Sequence, residues 1–194
     1  MTSIASSIIA NATSQLRVAQ IGLKDFSGSD PQRRIAGFRN AVVFGRAVTN
    51  VLEHLRSKVQ DFDAWYRPRS AELGADEGFS TLYALRSEIL KEGTGNPAVS
   101  IHIENLNTSD LKPLMDNPPE GAEGFFIGDE TGGSGWMIRN PDGEPEKFYV
   151  ALPSSVMITA SHHIGGEVAV DLLARYLNRM GDLIAEAKTH FDIR

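Results

Sequence analysis

"PQRRIAGFRNAVVFGRAVTNVLEHLRSKVQDF", residues 31–62, decides the fold class. Ile35, Phe38, Val42, Gly45, Val48, Leu52, Leu55, Val59 and Phe62 follow one another at steps of three or four. That spacing places them on one face of a helix and predicts about eight turns packed against other helices. Gly45 lies on the apolar face, where a small residue allows a neighbour to approach closely or lets the helix kink. Just upstream, Asp30 and Pro31 have the chemistry of an N-cap and a first helical residue.

The same period continues on both sides. Ile4, Ile8, Ala12, Leu16, Ala19 and Leu23 form an earlier stripe, interrupted by "DFSGSDP". A short helix is expected from Asp61 or Asp63, with Pro68 kinking or dividing it. Leu82, Leu85 and Ile89 mark another helix, which Gly93 closes as a C′ residue. After "TGNP" the period falls to two. Val99, Ile101 and Ile103 alternate with Ser100, His102 and Glu104, as on a half-exposed strand. "GFFIG", "GWMIRN" and "EKFYVALP" read as further strands, with turns at "NPPEG" and "NPDG". From about residue 164, Val168, Leu172, Tyr176, Met180, Leu183 and Ala187 give a long final helix.

These elements predict a mainly α, α+β protein: an antiparallel helical bundle with a small antiparallel sheet inserted before the C-terminal helix. One domain over 1–194 is expected, with the bundle in 1–95, the sheet in 97–153 and the closing helix in 160–192.

Composition narrows the functional classes. The 194 residues include no cysteine, which excludes disulfides, thiolate metal sites and a cysteine nucleophile. The formal charge of −6 argues against a dedicated non-specific nucleic-acid binder, so any RNA contact must come from a local cluster. The first twenty residues have neither a basic start nor an unbroken apolar core, and no apolar run reaches membrane-spanning length. A cytoplasmic protein without a cofactor is the expectation.

"ALRSEILKEG", residues 84–93, carries the first candidate site. Arg86 is followed by polar Ser87, and Lys91 stands five positions after Arg86. With the long helix before it and "FDAWY", this stretch resembles the HEPN superfamily (higher eukaryotes and prokaryotes nucleotide-binding domain) over roughly residues 30–93. The resemblance implies a four- or five-helix bundle, usually dimeric, and in many members a metal-independent ribonuclease or RNA-binding toxin. The family's motif is an Arg, a polar residue and then a His; here Lys91 replaces the His. Histidine shuttles protons near neutral pH, whereas lysine titrates near ~10.4 and needs burial or a neighbouring cation to serve. Five residues also turn the helix by about 500°, so Arg86 and Lys91 diverge. Arg86, Ser87 and Arg46 are therefore expected as ligand contacts, with His54 or Lys91 the only substitutes for the missing base. Two solvated cations near a helix C-terminus, complementing its dipole, are the simpler alternative.

Two further groupings hold residues capable of chemistry. "SHHIGGE", residues 161–167, places His163 and Glu167 one turn apart if helical, with His162 beside them and His102 as a third metal ligand; an irregular helix entry explains the same residues. "GDETGGSG", residues 128–135, is glycine-rich but lacks the Lys-Ser/Thr ending of a phosphate loop, and a flexible hairpin loop is expected. The leading expectation is a non-enzymatic HEPN-like module, homodimeric, binding a protein partner, RNA or a nucleotide in bacterial stress response or phage defence. The context follows from the resemblance; the dimer follows from it and from long apolar stripes that could exceed what one small bundle buries. The alternatives are a ribonuclease using Arg86 with His54 or Lys91, and a metal-dependent hydrolase using His102, His163 and Glu167.

Overall fold

The computed structural model describes residues 4–193. The chain is mainly helical with small antiparallel sheets, and it divides into two compact units. One contains the residues up to Pro97 and from Ile164 onward; the other is Ala98–His163.

In the helical unit, α1 (Ile4–Ser27) and α2 (Pro31–Leu52) form a hairpin. Asp30 caps α2: its carboxylate accepts from Gln32 N at 3.0 Å, and Pro31 takes the first helical position, where no N–H is needed. The stripe of residues 31–62 does not stay on one α-helix. A 3-10 turn, Glu53–Ser57, tightens the chain after Leu52 while keeping Leu55 fully buried. Asp61, in the left-handed region at φ 57°, then begins α3 (Phe62–Ala75). This helix runs on across Pro68, which forfeits a single backbone bond. α4 (Glu77–Glu92) starts at Asp76, whose side chain accepts from Phe79 N at 3.0 Å, and stops at Gly93 with φ 69°. After a two-residue strand, α6 (Ala169–His190) completes the unit.

Tyr176 stands at the centre of this core with no exposed surface. A Cβ built on Gly45 would lie 2.8 Å from its ring, so the small residue on the α2 face makes room for the tyrosine. Phe79 meets the same ring edge-on at 5.1 Å. Leu172, Leu173, Met180 and Leu183 of α6 are equally buried, each worth roughly 1.5–3 kcal/mol of apolar transfer. The whole cluster draws its residues from the helical unit alone.

In the inserted unit, β1 (Ala98–Asn105) pairs antiparallel with β5 (Met157–Ile164), in register from Ala98 opposite His163 to Asn105 opposite Met157. α5 (Thr108–Met115) follows β1. β2 (Ala122–Phe126), β3 (Gly135–Arg139) and β4 (Pro145–Tyr149) make a separate meander in the order β2-β3-β4. Two expectations are corrected. β1 belongs to a different sheet from the meander, and residues 157–164 extend as a strand where the closing helix was expected to begin at 160. β6 (Glu167–Val168) intervenes before α6, which starts at Ala169 and leaves Val168 exposed.

Candidate functional site: an arginine seam between two helices

Two contacts fix how α2 and α4 run. The Arg46 guanidinium lies 4.8 Å from the centroid of the Tyr83 ring, and Arg39 Nη2 donates to Asn96 Oδ1 at 3.1 Å. Ascending α2 from 39 to 46 thus means descending from 96 to 83, so the helices are antiparallel. Arg39 and Arg46 are seven residues apart, which puts them on one face about 10 Å apart along the axis. Arg86 is three residues beyond Tyr83 toward Asn96, about 4.5 Å along α4, and so falls between them. The three arginines thus fall at successive levels along the contact of α2 and α4.

All three residues are partly buried, and the Nε atoms of Arg39 and Arg86 are sealed from solvent with no hydrogen-bond partner. Among the described residues, no carboxylate forms an ion pair with Arg39, Arg46 or Arg86. Six other arginines, Arg33, Arg56, Arg69, Arg139, Arg175 and Arg179, each pair with an acid; Arg17 and Arg67, which have no such pair, are exposed. For Arg39 and Arg46 the sequence of α2 contributes: it carries four arginines and no acidic residue from Pro31 to Leu52. That local run is the signal that would have added Arg39 to the expected contacts. It is concealed by the overall charge of −6.

No protein-family model, curated protein or solved structure matches this chain. The seam is therefore read from its own chemistry.

At its inner end, Arg46 donates to Thr49 Oγ1 and lies among Tyr66, Tyr83 and Tyr176. Burial pushes the Tyr66 phenol up to about 12, reinforced by Glu53, whose Oε1 accepts from its hydroxyl at 3.3 Å. Burial likewise raises Tyr83 and Tyr176, against the opposing pull of the Arg46 charge. These phenols stay protonated at neutral pH and can donate a hydrogen bond, but none serves as a base.

The structure does not bring the expected substitutes for the missing histidine to Arg86 within one chain. His54 is exposed on the 3-10 turn, about 15 Å along the seam from Arg86 and beyond Arg46. Lys91 is exposed in the last turn of α4, about 7 Å further along in the opposite direction and rotated about 140°. Its position is the one where a cation complements the helix dipole. Ser87 Oγ donates to Tyr83 O at 3.3 Å, a bond within its own helix.

The proposed metal ligands do not converge either. His102 stands opposite Thr159 and His163 opposite Ala98, four rows apart and so about 13 Å along the ladder. Residues 161–164 are strand, so His163 and Glu167 do not share a helical turn, and Glu167 pairs with Arg175 at 3.0 Å. His162 is buried on the same strand. No group of three potential ligands forms among the described residues.

The glycine-rich loop joins β2 to β3 and is filled by its own anion. Asp129 Oδ1 accepts from Thr131 N at 2.9 Å, Thr131 Oγ1 at 2.6 Å and Gly133 N at 3.1 Å. Oδ2 accepts from Lys147 Nζ at 2.8 Å and Tyr149 OH at 2.7 Å. Burial opposes ionisation of this carboxyl, but the bonds from Lys147, Thr131 and Tyr149 prevail and hold it well below the usual carboxylate range. A loop expected to be flexible is pinned, and the amides that would receive a phosphate are already engaged.

Proposed function

We propose that the helical unit is a non-enzymatic binding module that takes RNA or a nucleotide by its phosphate, at Arg39, Arg46 and Arg86. The observation that carries this reading is three partly buried guanidiniums on one seam with no carboxylate to neutralise them. A cation removed from water without a counter-ion is costly, and a bound anion relieves that cost. Phosphate suits arginine because its oxygens accept paired, charge-assisted hydrogen bonds from the planar fork. Tyr83 adds an aromatic wall and a neutral donor. The HEPN resemblance supports the same face through Arg86 and Ser87. A protein partner and a role in bacterial stress response or phage defence rest on that resemblance alone, and a homodimer on it together with the long apolar stripes.

Cleavage is the less favoured reading, since an arginine stays protonated and no base lies beside Arg86 in one chain. Fluorescence anisotropy with a short labelled single-stranded RNA, with ATP as competitor, tests the proposal. Binding is expected to weaken about tenfold in both Arg39→Ala and Arg86→Ala and to fall between about 50 and 200 mM salt, with the RNA intact on a gel. Unchanged affinity in both variants overturns the assignment. RNA cut by the parent chain but not by Arg86→Ala would establish the ribonuclease instead.

A further inference from the structure

At its Arg46 end the arginine seam runs on toward a polar cleft. Glu53 lies seven residues beyond Arg46, two helical turns and about 10 Å along the same face. There the 3-10 turn and α3 line a cleft of about 670 Å³, to which Glu53, Arg56, Tyr66, Arg67 and Ser70 contribute. That volume is within the range of small-molecule sites. Tyr66 joins the two regions. Its hydroxyl donates to Glu53 Oε1 at 3.3 Å, and the Arg46 charge acts on the same phenol.

The polar groups of this cleft are open to solvent, with the Glu53 side chain 35% and the Arg56 side chain 51% exposed. Neither is saturated. Glu53 Oε2 lies 3.7 Å from Arg56 Nη1, too long for a hydrogen bond, and its contact with Tyr66 is also a long one. Arg56 uses Nε on Asp63 Oδ1 at 2.9 Å, and its two terminal nitrogens still carry donors to spare. A guanidinium donor and a carboxylate acceptor thus stand side by side in the lining. Arg67 beside them is exposed and forms no ion pair among the described residues, so its planar fork is available to a flat ring.

That donor–acceptor order matches one nucleobase better than the others. Guanine carries the O6 acceptor next to two parallel donors, N1–H and N2–H₂, and parallel donors suit the two oxygens of a carboxylate. Adenine and uracil each offer a single donor on this edge, flanked by an acceptor that a carboxylate repels. The charges also set a direction. Glu53 disfavours a phosphate at its own end, whereas Arg46 and Arg86 favour one about two turns away. We infer that the cleft is a guanine pocket, taking the base of a nucleotide whose phosphate lies on the arginine seam. Glu53 accepts from N1–H and N2–H₂, and Arg56 donates to O6. The inference rests on the phosphate reading of that seam and adds the base to it. A free nucleotide and a guanosine within a single strand present the same chemistry.

Calorimetric titration with GMP, IMP and AMP tests the pocket without altering the protein, because IMP lacks only the N2 amine of GMP. GMP is expected to bind about tenfold tighter than IMP or AMP. Glu53→Gln is expected to lower GMP to the level of AMP and to leave AMP unchanged, which also shows that the variant is folded. Arg86→Ala is expected to weaken all three alike. Labelled oligouridylates carrying one guanosine or one inosine separate the sources: discrimination in the strand alone assigns RNA, and discrimination between GMP and IMP assigns the free nucleotide. Discrimination in neither overturns the guanine pocket, and the seam still stands if Arg86→Ala weakens binding. A guanine preference that survives Glu53→Gln overturns the pocket as well. A preference lost in Glu53→Gln but indifferent to Arg86→Ala upholds the pocket and overturns the seam.

Discussion

Asp129 shows how a single carboxylate organises a loop that contains several glycines. Five donors converge on it, from Thr131, Gly133, Lys147 and Tyr149, and they keep it ionised despite burial. Its folded pKa lies below the ordinary value of about 3.9, so its contribution to stability is present above pH 4 and is lost as acid drives the folded group to protonate. Asp129→Asn replaces one acceptor oxygen by a donor that faces Lys147 or Tyr149. A loss of about 2 kcal/mol in the stability of the inserted unit is expected at pH 7. Denaturant titrations followed by Trp136 fluorescence check this, and the parent's decline below pH 4 should be largely absent in the variant. The tyrosines around Arg46 contrast with this site. Their ionisation lies far on the alkaline side, so the seam has no titrating group of its own near neutral pH.

Among the elements, the α1–α2 hairpin is held by a close backbone approach. A Cβ on Gly22 would lie 2.6 Å from Gly37 O, and a Cβ on Gly37 would lie 2.6 Å from Gly22 O, so each glycine makes room for the other's backbone. Phe26 and Phe38 close the contact one turn away, with centroids 5.3 Å apart. Gly37→Ala forces the two helices apart and is expected to cost about 1–3 kcal/mol, seen as a Tm lower by several degrees in a thermal melt. An unchanged Tm would mean that the crossing is looser than these distances. The helices were legible in the sequence because their buried stripes are long and regular: Phe38, Val42, Val48 and Leu52 are all buried as their spacing requires. α5 was not, since Leu111 is its only buried residue and Pro113 lies inside it. β5 was missed for a different reason. Its inward positions are Ile158, Ala160, His162 and Ile164, and a histidine among them masks the apolar alternation. At the site, the sequence points to Arg46 and Arg86 but not to Arg39. The relevant signal is a stretch without acids rather than a motif.

Across the whole molecule, charge is unevenly divided along the chain. Residues 1–52 contain six basic and two acidic residues, leaving thirteen basic against twenty-three acidic in the rest. An electropositive helical hairpin therefore belongs to a protein whose total is negative, which favours selective capture of anions over general adhesion to them. No helix is long and apolar enough to cross a membrane among the described residues. The hydrophobic core of the helical unit takes nothing from 98–163. Joining Pro97 to Ile164 through a short Gly-Ser linker is thus expected to leave a cooperatively melting helical protein, as judged by circular dichroism. Collapse of the helical signal would show that the insertion is needed for folding.

The ladder of β1 and β5 explains why such a cut is feasible, and it also bears on the order of folding. The core needs α6, yet the sixty-six-residue insertion 98–163 lies between it and the other helices of that unit. Closing a free loop of that length costs about 3–4 kcal/mol in chain entropy. Because Ala98 pairs with His163, the excursion ends one strand spacing from where it began, and most of that entropy is lost inside the insertion as it folds. For the helices, the last segment then returns as though it had been connected by a tight turn.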